Sequence, residues 1–496
     1  MPCTFANSPR VAATTTAEDA RAARRWALQW AAPIALLAAG CHNFVDSFEP
    51  STAPAFDDAL LEAGAAAPED WPGWRGGMAH GVALAESLPT EWGPHRNVRW
   101  RVDLPGAGNS SPVVSGEHVF LTSVVGEGHR AQLTLLALDR RSGELRWQAE
   151  LGAPVGPTHQ KNGHASATVA TDGRRVIAFF GAKGLYCYSV DGERLWRQPL
   201  VELKHDWGFA SSPVLAGHLV VQLCDSQTES FIAAFDKRTG EQVWRTARGS
   251  NGCWSTPVVV RPPAGAAGPW QVIVNGAGSN NGSQGFVTSY DLSSGTQLWQ
   301  LPGTADIVCP TLIVGPQLAV STSGGNGPIL AFDPTSASQS GAATTAWSAP
   351  HGGPNVSTGV IYRERLYLAG DEGVLTCRRA ATGEEVWRHR IGAPVNASLV
   401  AGAGCVYVTT ETGEIVVIAA DDEPHVLATN RLGEPCLATP AVAGDALLVR
   451  TESRLYCIGE PTTDSESPPA ESAPAAALDD TVRSPSDVSI APPTSG

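Results

Sequence analysis

The nine residues Asp139-Arg-Arg-Ser-Gly-Glu-Leu-Arg-Trp147 recur as Asp236-Lys-Arg-Thr-Gly-Glu-Gln-Val-Trp244 and as Asp291-Leu-Ser-Ser-Gly-Thr-Gln-Leu-Trp299. Shorter copies are Gly192-Glu-Arg-Leu-Trp196 and Thr382-Gly-Glu-Glu-Val-Trp387. A motif that returns at a near-constant period marks a chain built from one repeated supersecondary unit, so the period has to be read before anything local. The Trp position is filled by Trp100, Trp147, Trp196, Trp244, Trp299, Trp347 and Trp387, 40 to 55 residues apart. The next position falls near Ala428, where the motif has degenerated, and the ring is expected to do without that copy.

Each unit opens on a small or hydroxyl residue, often followed by Pro. The openings are Ser111-Pro112, Ser166-Ala167, Ser212-Pro213, Thr256-Pro257, Cys309-Pro310, Ser357-Thr358, Ser398-Leu399 and Thr439-Pro440. Between an opening and its Trp lie short runs of Val, Ile, Leu and Tyr separated by Gly, Asp and Ser, which is the pattern of strands joined by tight turns. Four short strands per unit predict an all-β protein, an eight-bladed β-propeller of four-stranded antiparallel blades. The closing strand Asn97–Leu104 has no unit before it, and the last unit, Cys436–Glu460, has no closing Trp strand. Together they make one blade, so the two ends of the chain lock the ring and leave no open edge within it.

The composition agrees. The 496 residues include 52 Gly and 37 Pro, 43% are hydrophobic and only 17% charged, as expected of many strands and turns around a large core. A net charge of −15 excludes nonspecific nucleic-acid binding, which needs clustered Lys and Arg. The ten Cys include no CxxC, no CxxCH and no adjacent pair, so zinc-ribbon, thioredoxin-type and c-type haem chemistry have no motif. Cys187, Cys377 and Cys457 share one late-strand position and read as small buried hydrophobes.

The chain divides into residues 1–41, a signal-like segment; 42–70, a flexible tether; 71–460, the propeller; and 461–496, a disordered tail without apolar periodicity. In the first, Arg21, Arg24 and Arg25 precede an apolar run from Trp26 to Gly40, suited to an export signal and short for a membrane span. The stretch Leu37-Ala-Ala-Gly-Cys41 resembles a lipobox, with Ala38 in place of the usual Leu. That resemblance implies lipidation at Cys41 and residence in the cell envelope, periplasm or outer membrane, with the lipid as the only membrane contact.

The repeat itself resembles the quinoprotein-like propellers. That group includes the pyrroloquinoline-quinone (PQQ) alcohol dehydrogenases and the propeller lipoprotein of the outer-membrane β-barrel assembly machinery. Trp71-Pro-Gly-Trp-Arg-Gly-Gly77, Leu88-Pro-Thr-Glu-Trp92 and Asn109-Ser-Ser-Pro-Val-Val114 are similar to exported PQQ-like repeat proteins of planctomycete-type bacteria. The resemblance implies that the repeat Trp residues are structural, wedged between blades. It also implies what a dehydrogenase would carry: an adjacent Cys-Cys pair over the quinone, oxygen ligands for Ca²⁺ and an Asp base. The pair is absent from this sequence, so neither a cofactor nor a metal is predicted; PQQ with Ca²⁺ stands as the alternative, an oxidoreductase reading.

Strand alternation places the loops after each Trp strand, and those between second and third strands, on one face. That face carries Asn162, His164, Asp206, Trp207, Asn251, Trp254, Asn280 and Asn281, a candidate binding rim for a protein or peptide partner. The expected function is a noncatalytic scaffold in the envelope, one version being outer-membrane protein assembly.

Overall fold

A computed structural model describes residues 67–460 except 68, 78, 201–202, 251, 262–267, 279–283 and 336–342. The signal-like segment, Cys41, nearly all of the tether and the tail 461–496 lie outside the described residues. Among the described residues thirty-two strands form eight four-stranded antiparallel sheets, arranged as an eight-bladed propeller. Blade one runs outward from the axis through Val113–Ser115, His118–Val125, Gln132–Asp139 and Leu145–Glu150. In blade eight the outermost strand is Val98–Asp103, paired with Arg454–Ile458 from the end of the chain. The ring closes as the end bookkeeping predicts.

The repeat motif builds the outer hairpin of the blades that carry it, as blade one shows. Asp139 Oδ1 accepts the amides of Arg141 and Ser142 at 2.8 and 3.0 Å, and its carbonyl accepts the Gly143 amide at 2.9 Å. The Ser142 hydroxyl accepts the amide of Glu144. Short side-chain acceptors that mimic a backbone turn explain why Asp and Ser or Thr stand at these two positions. Burial alone would raise the Asp139 carboxyl, but Arg146 and the turn amides hold it down at about 2.

Glycine is required by close approach as well as by backbone conformation. Gly240 has φ +77°, and a Cβ there would come within 2.7 Å of the Trp196 ring of the preceding blade. Each repeat Trp thus lies over the turn of the next blade. The Nε1 of Trp100, Trp147, Trp196, Trp244, Trp347 and Trp387 donates to a carbonyl there, at 2.8 to 3.2 Å. Trp299 reaches its neighbour through a relay, donating to Gln271 Oε1, whose amide donates to Pro334 O. Seven buried apolar clusters fill the seams, the largest spanning blades seven, eight and one. Cys187, Cys377 and Cys457 pair in register with Trp196, Trp387 and Trp100, and burial raises all three thiols.

Two readings of the repeat need correction. The unit openings form a ring in which a backbone N–H of one blade donates to a hydroxyl of the next. It runs Ser111, Thr168, Ser212, Thr256, Thr311, Thr358, Ser398 and Thr439, with distances of 2.8 to 3.1 Å at seven steps. The structural positions in blades two, five and six are therefore Thr168, Thr311 and Thr358, not Ser166, Cys309 and Ser357. Pro is dispensable there, so spacing from it misplaced the frame.

The second correction concerns blade seven. Ala428 pairs with Val417 in the register that elsewhere holds Trp, and it lines a hollow of about 420 Å³ together with Trp92. Trp92 packs there, 5% exposed and stacked 6.5 Å from Tyr407. Tyr367 occupies the same position in blade six and meets Trp387 at 5.9 Å. The ring lacks an eighth repeat Trp but sets Trp92, from another part of the chain, against blade seven, with an indole N–H that has no partner among the described residues.

Trp92 belongs to a segment that runs across one end of the propeller. Asp70 accepts from the Gly116 amide and pairs with Arg140 at 3.3 Å on the hairpin side of blade one. Trp71 exchanges backbone hydrogen bonds with Val114, and Pro72 O accepts from Thr171 in blade two. Arg75 then reaches blades six and seven, Val82 pairs in parallel with Ala401, and Asn430 binds both Thr90 O and the Trp92 amide. The chain so closes the channel at that end before becoming the outer strand of blade eight.

Beside Arg75, His80 is held down at about 4, first by burial and then by the neighbouring guanidinium. Its ordinary value is 6.5, so between pH 6.5 and 4 the unfolded chain binds a proton that the folded one does not. Stability from this group is complete above pH 6.5 and is lost as pH falls. Acidification from pH 7 to 5 is expected to cost about 2 kcal/mol. Urea midpoints at both pH values should show the drop in the parent and a flatter response in His80→Asn.

Candidate functional site

The other end of the channel is open. There the ring hydroxyls, the rim loops and Trp74 enclose a blind funnel of about 450 Å³. Trp74 comes from the crossing segment and forms part of the lining, with the Arg75 guanidinium 5.6 Å from its ring centroid. The Arg75 side chain is fully buried and donates to five carbonyls, those of Ala79, His80, Thr358, Gly359 and Leu399. No carboxylate balances it in those bonds, and burial lowers its value to about 9.

The mouth is organised by two sets of residues. On blades two to four, Trp207 and Trp254 stack at 5.6 Å and 22°, and His205 meets the Trp254 ring edge-on at 4.6 Å. Trp254 Nε1 donates to Gly208 O at 2.8 Å, which anchors its indole, and Asn162 Nδ2 donates to the Trp207 backbone O at 2.7 Å. On the other side Asp371 and Glu411 project from corresponding loops of blades six and seven. Lys161 Nζ lies 2.6 Å from Glu411 Oε1, tying the loop between blades one and two to blade seven. Burial raises Asp371, against the Asn355 and Val356 amides that favour its ionised form.

Of the predicted rim, Asn162, Trp207 and Trp254 line the funnel together. His164 and Asp206 line an adjoining cavity of about 270 Å³, walled by Pro157, Phe180, Leu203 and Phe209. Burial lowers His164. Asn251, Asn280 and Asn281 lie outside the described residues. His351, in the strand that carries Trp347, is exposed and lines neither cavity; its ring nitrogen lies 3.4 Å from Asn326 O.

Sequence reasoning missed Trp74, Asp371, Glu411 and the inward hydroxyls. The acidic pair has a signal in the repeat: Gly370-Asp-Glu-Gly373 and Thr410-Glu-Thr-Gly413 are one loop in successive blades. Trp74 has none, because nothing in its neighbourhood tells that the segment crosses the axis. Among the described residues no group of three or more His, Cys, Asp or Glu is placed to hold a metal ion. Cys253 and Cys436, at matching places in blades four and eight, each donate to a carbonyl of their own blade at 2.9 Å.

A plugged eight-bladed propeller with a funnel on the loop face defines the class, that of the quinoprotein-like propellers. The family model described as outer membrane protein assembly factor BamB matches residues 95–179, 131–365, 325–424 and 371–458, and the chain belongs to that family. It is 25% identical over 390 residues to the outer membrane protein assembly factor BamB of Burkholderia pseudomallei, covering 73% of this chain and 88% of that protein. A shorter match, 25% over 158 residues, is to methanol dehydrogenase subunit 1 of Methylorubrum extorquens, covering 29% of this chain and 24% of that one. Among solved structures, quinohemoprotein alcohol dehydrogenase from Comamonas testosteroni superposes with TM-score 0.64 at 14% identity, over 83% of this chain and 84% of that one. BamB from Moraxella catarrhalis superposes with TM-score 0.52 at 12% identity, over 74% and 98%. At these identities the superpositions establish the shared fold.

Proposed function

We propose that this propeller is a noncatalytic scaffold of the cell envelope that binds a protein or peptide partner through its loop face, in outer-membrane protein assembly. The observation that carries the reading is the Trp207–Trp254–His205 cluster beside an apolar cavity. Trp207 is 44% exposed and stacks on Trp254, and its backbone carbonyl accepts from Asn162. Ordered aromatics next to a pocket are the usual energetic centre of a protein interface, because they bury much area at little entropic cost. Membership of the BamB family supports the assembly role, and a lipid on Cys41 would place the scaffold at the membrane. Mass spectrometry of the mature N-terminus tests that anchor.

The alternative, a PQQ-dependent oxidoreductase, is disfavoured by the residues themselves. A tricarboxylate quinone calls for several cations, whereas Lys161 is the one Lys or Arg lining the funnel among the described residues, and it is paired with Glu411. Asp371 adds a further carboxylate, and the sequence holds no adjacent Cys pair to cover the ring. These residues do not fit the group, and no step is assigned to it.

Trp254→Ala and the pair His164→Ala/Asp206→Ala are expected to weaken capture of barrel-assembly partners from envelope fractions, the Trp change by at least about tenfold. Unchanged capture by folded variants would remove this face as the interface. Turnover of alcohols with added PQQ and Ca²⁺ in a dye-reduction assay would reinstate the enzyme.

A further inference from the structure

We infer that the blind funnel is a binding site for a neutral saccharide, a small-molecule function beyond partner binding at the rim. The argument is one of unmet hydrogen-bonding capacity. Each ring hydroxyl from Thr168 to Thr439 accepts a backbone N–H, yet none has a protein acceptor for its own hydrogen among the described residues. Ser212, Thr256, Thr311, Thr358, Ser398 and Thr439 line the funnel, so its lower wall offers donors in search of acceptors.

Nearer the mouth the need is reversed. Asp371 and Glu411 line the same space with carboxylates, which are acceptors only. An occupant that pairs with them must bring donors. A ligand that both donates and accepts at many points is a polyol. Charge points the same way: Lys161 is neutralised by Glu411, and Asp371 disfavours an anion. The stacked Trp207 and Trp254 border the funnel and give an apolar flank on which the C–H face of a pyranose can lie. The volume, about 450 Å³, lies within the range of small-molecule sites.

The test uses the purified folded protein, with glucose, maltose and chitobiose as neutral probes and glucuronate and citrate as anionic ones. Binding is followed by tryptophan fluorescence and calorimetry. At least one neutral probe should saturate with a Kd below about 1 mM. Asn396→Ala and Asp371→Ala, on the funnel wall of blades six and seven, should weaken it about tenfold. Glu117→Ala, on the opposite face, should leave it unchanged. No saturable binding by neutral probes, preference for the anions, or binding unaffected by both funnel variants would overturn the inference. Because Asn396 and Asp371 stand apart from the aromatic cluster of blades two to four, partner capture by these variants reports separately on the interface.

Discussion

Replacing Arg75 with Met is expected to destabilise the propeller by about 3–5 kcal/mol, because several buried carbonyls lose their donor at once. The guanidinium binds two carbonyls of the crossing segment, Ala79 and His80, and joins it to blades six and seven through three buried ones, Thr358, Gly359 and Leu399. Met fills similar space and donates nothing, so those oxygens lose their partners while staying away from water. Arg75→Lys should recover only part of the loss, since an ammonium has three donors and lacks the planar fork that spans the five sites. Urea denaturation of the three proteins checks the order parent, Lys, Met. The Met variant should also be cut by protease within residues 71–92 while the blades stay intact, because the plug is what the bonds hold. A variant as stable as the parent would show that the crossing segment contributes nothing to the ring.

Trp92→Ala should cost about as much, 3–5 kcal/mol, as large-to-small changes of buried aromatics do when the cavity cannot collapse. The informative variant is the double one. Ala428 stands in the register of the missing Trp, so Ala428→Trp alone would compete with Trp92 for one space and destabilise by about 1–3 kcal/mol through overpacking. Combined with Trp92→Ala, it should restore part of the stability, a coupling of opposite sign to either single change. Additive losses would mean that Trp92 and the lost repeat Trp do not share a place. The expected outcome ties the length of the chain before the first blade to the integrity of the seam between blades seven and eight.

How much of this was legible beforehand differs by element. Asp139, Ser142, Gly143 and Trp147 act within one hairpin and across one seam, and full copies of the motif recur in blades three and four with shorter ones in blades two and six. A local pattern copied many times reports a local structure, and the copies average out the noise of any one. Alternation assigns Asn162, His164, Asp206, Trp207 and Trp254 to one face; Asn251, Asn280 and Asn281, assigned with them, lie outside the described residues. It could not say that His164 and Asp206 enter one cavity while Trp207 and Trp254 border another, because that depends on how long loops from different blades fold onto each other.

The sequence by itself determined the all-β class, the number of blades, the closure of the ring by both ends of the chain, and the structural duty of the Trp series. All follow from periodicity, which is a property of neighbours along the chain. Only the tertiary structure decided that Trp92 packs against blade seven, where Ala428 lacks the repeat Trp, that Arg75 holds a plug beneath Trp74, and that Asp371, Glu411 and Lys161 face the aromatic cluster across a blind funnel. Those contacts join residues hundreds of positions apart, and no repeat copies them. Each arises once, from the single passage of the chain across the axis and from the ring bringing distant blades to a common centre.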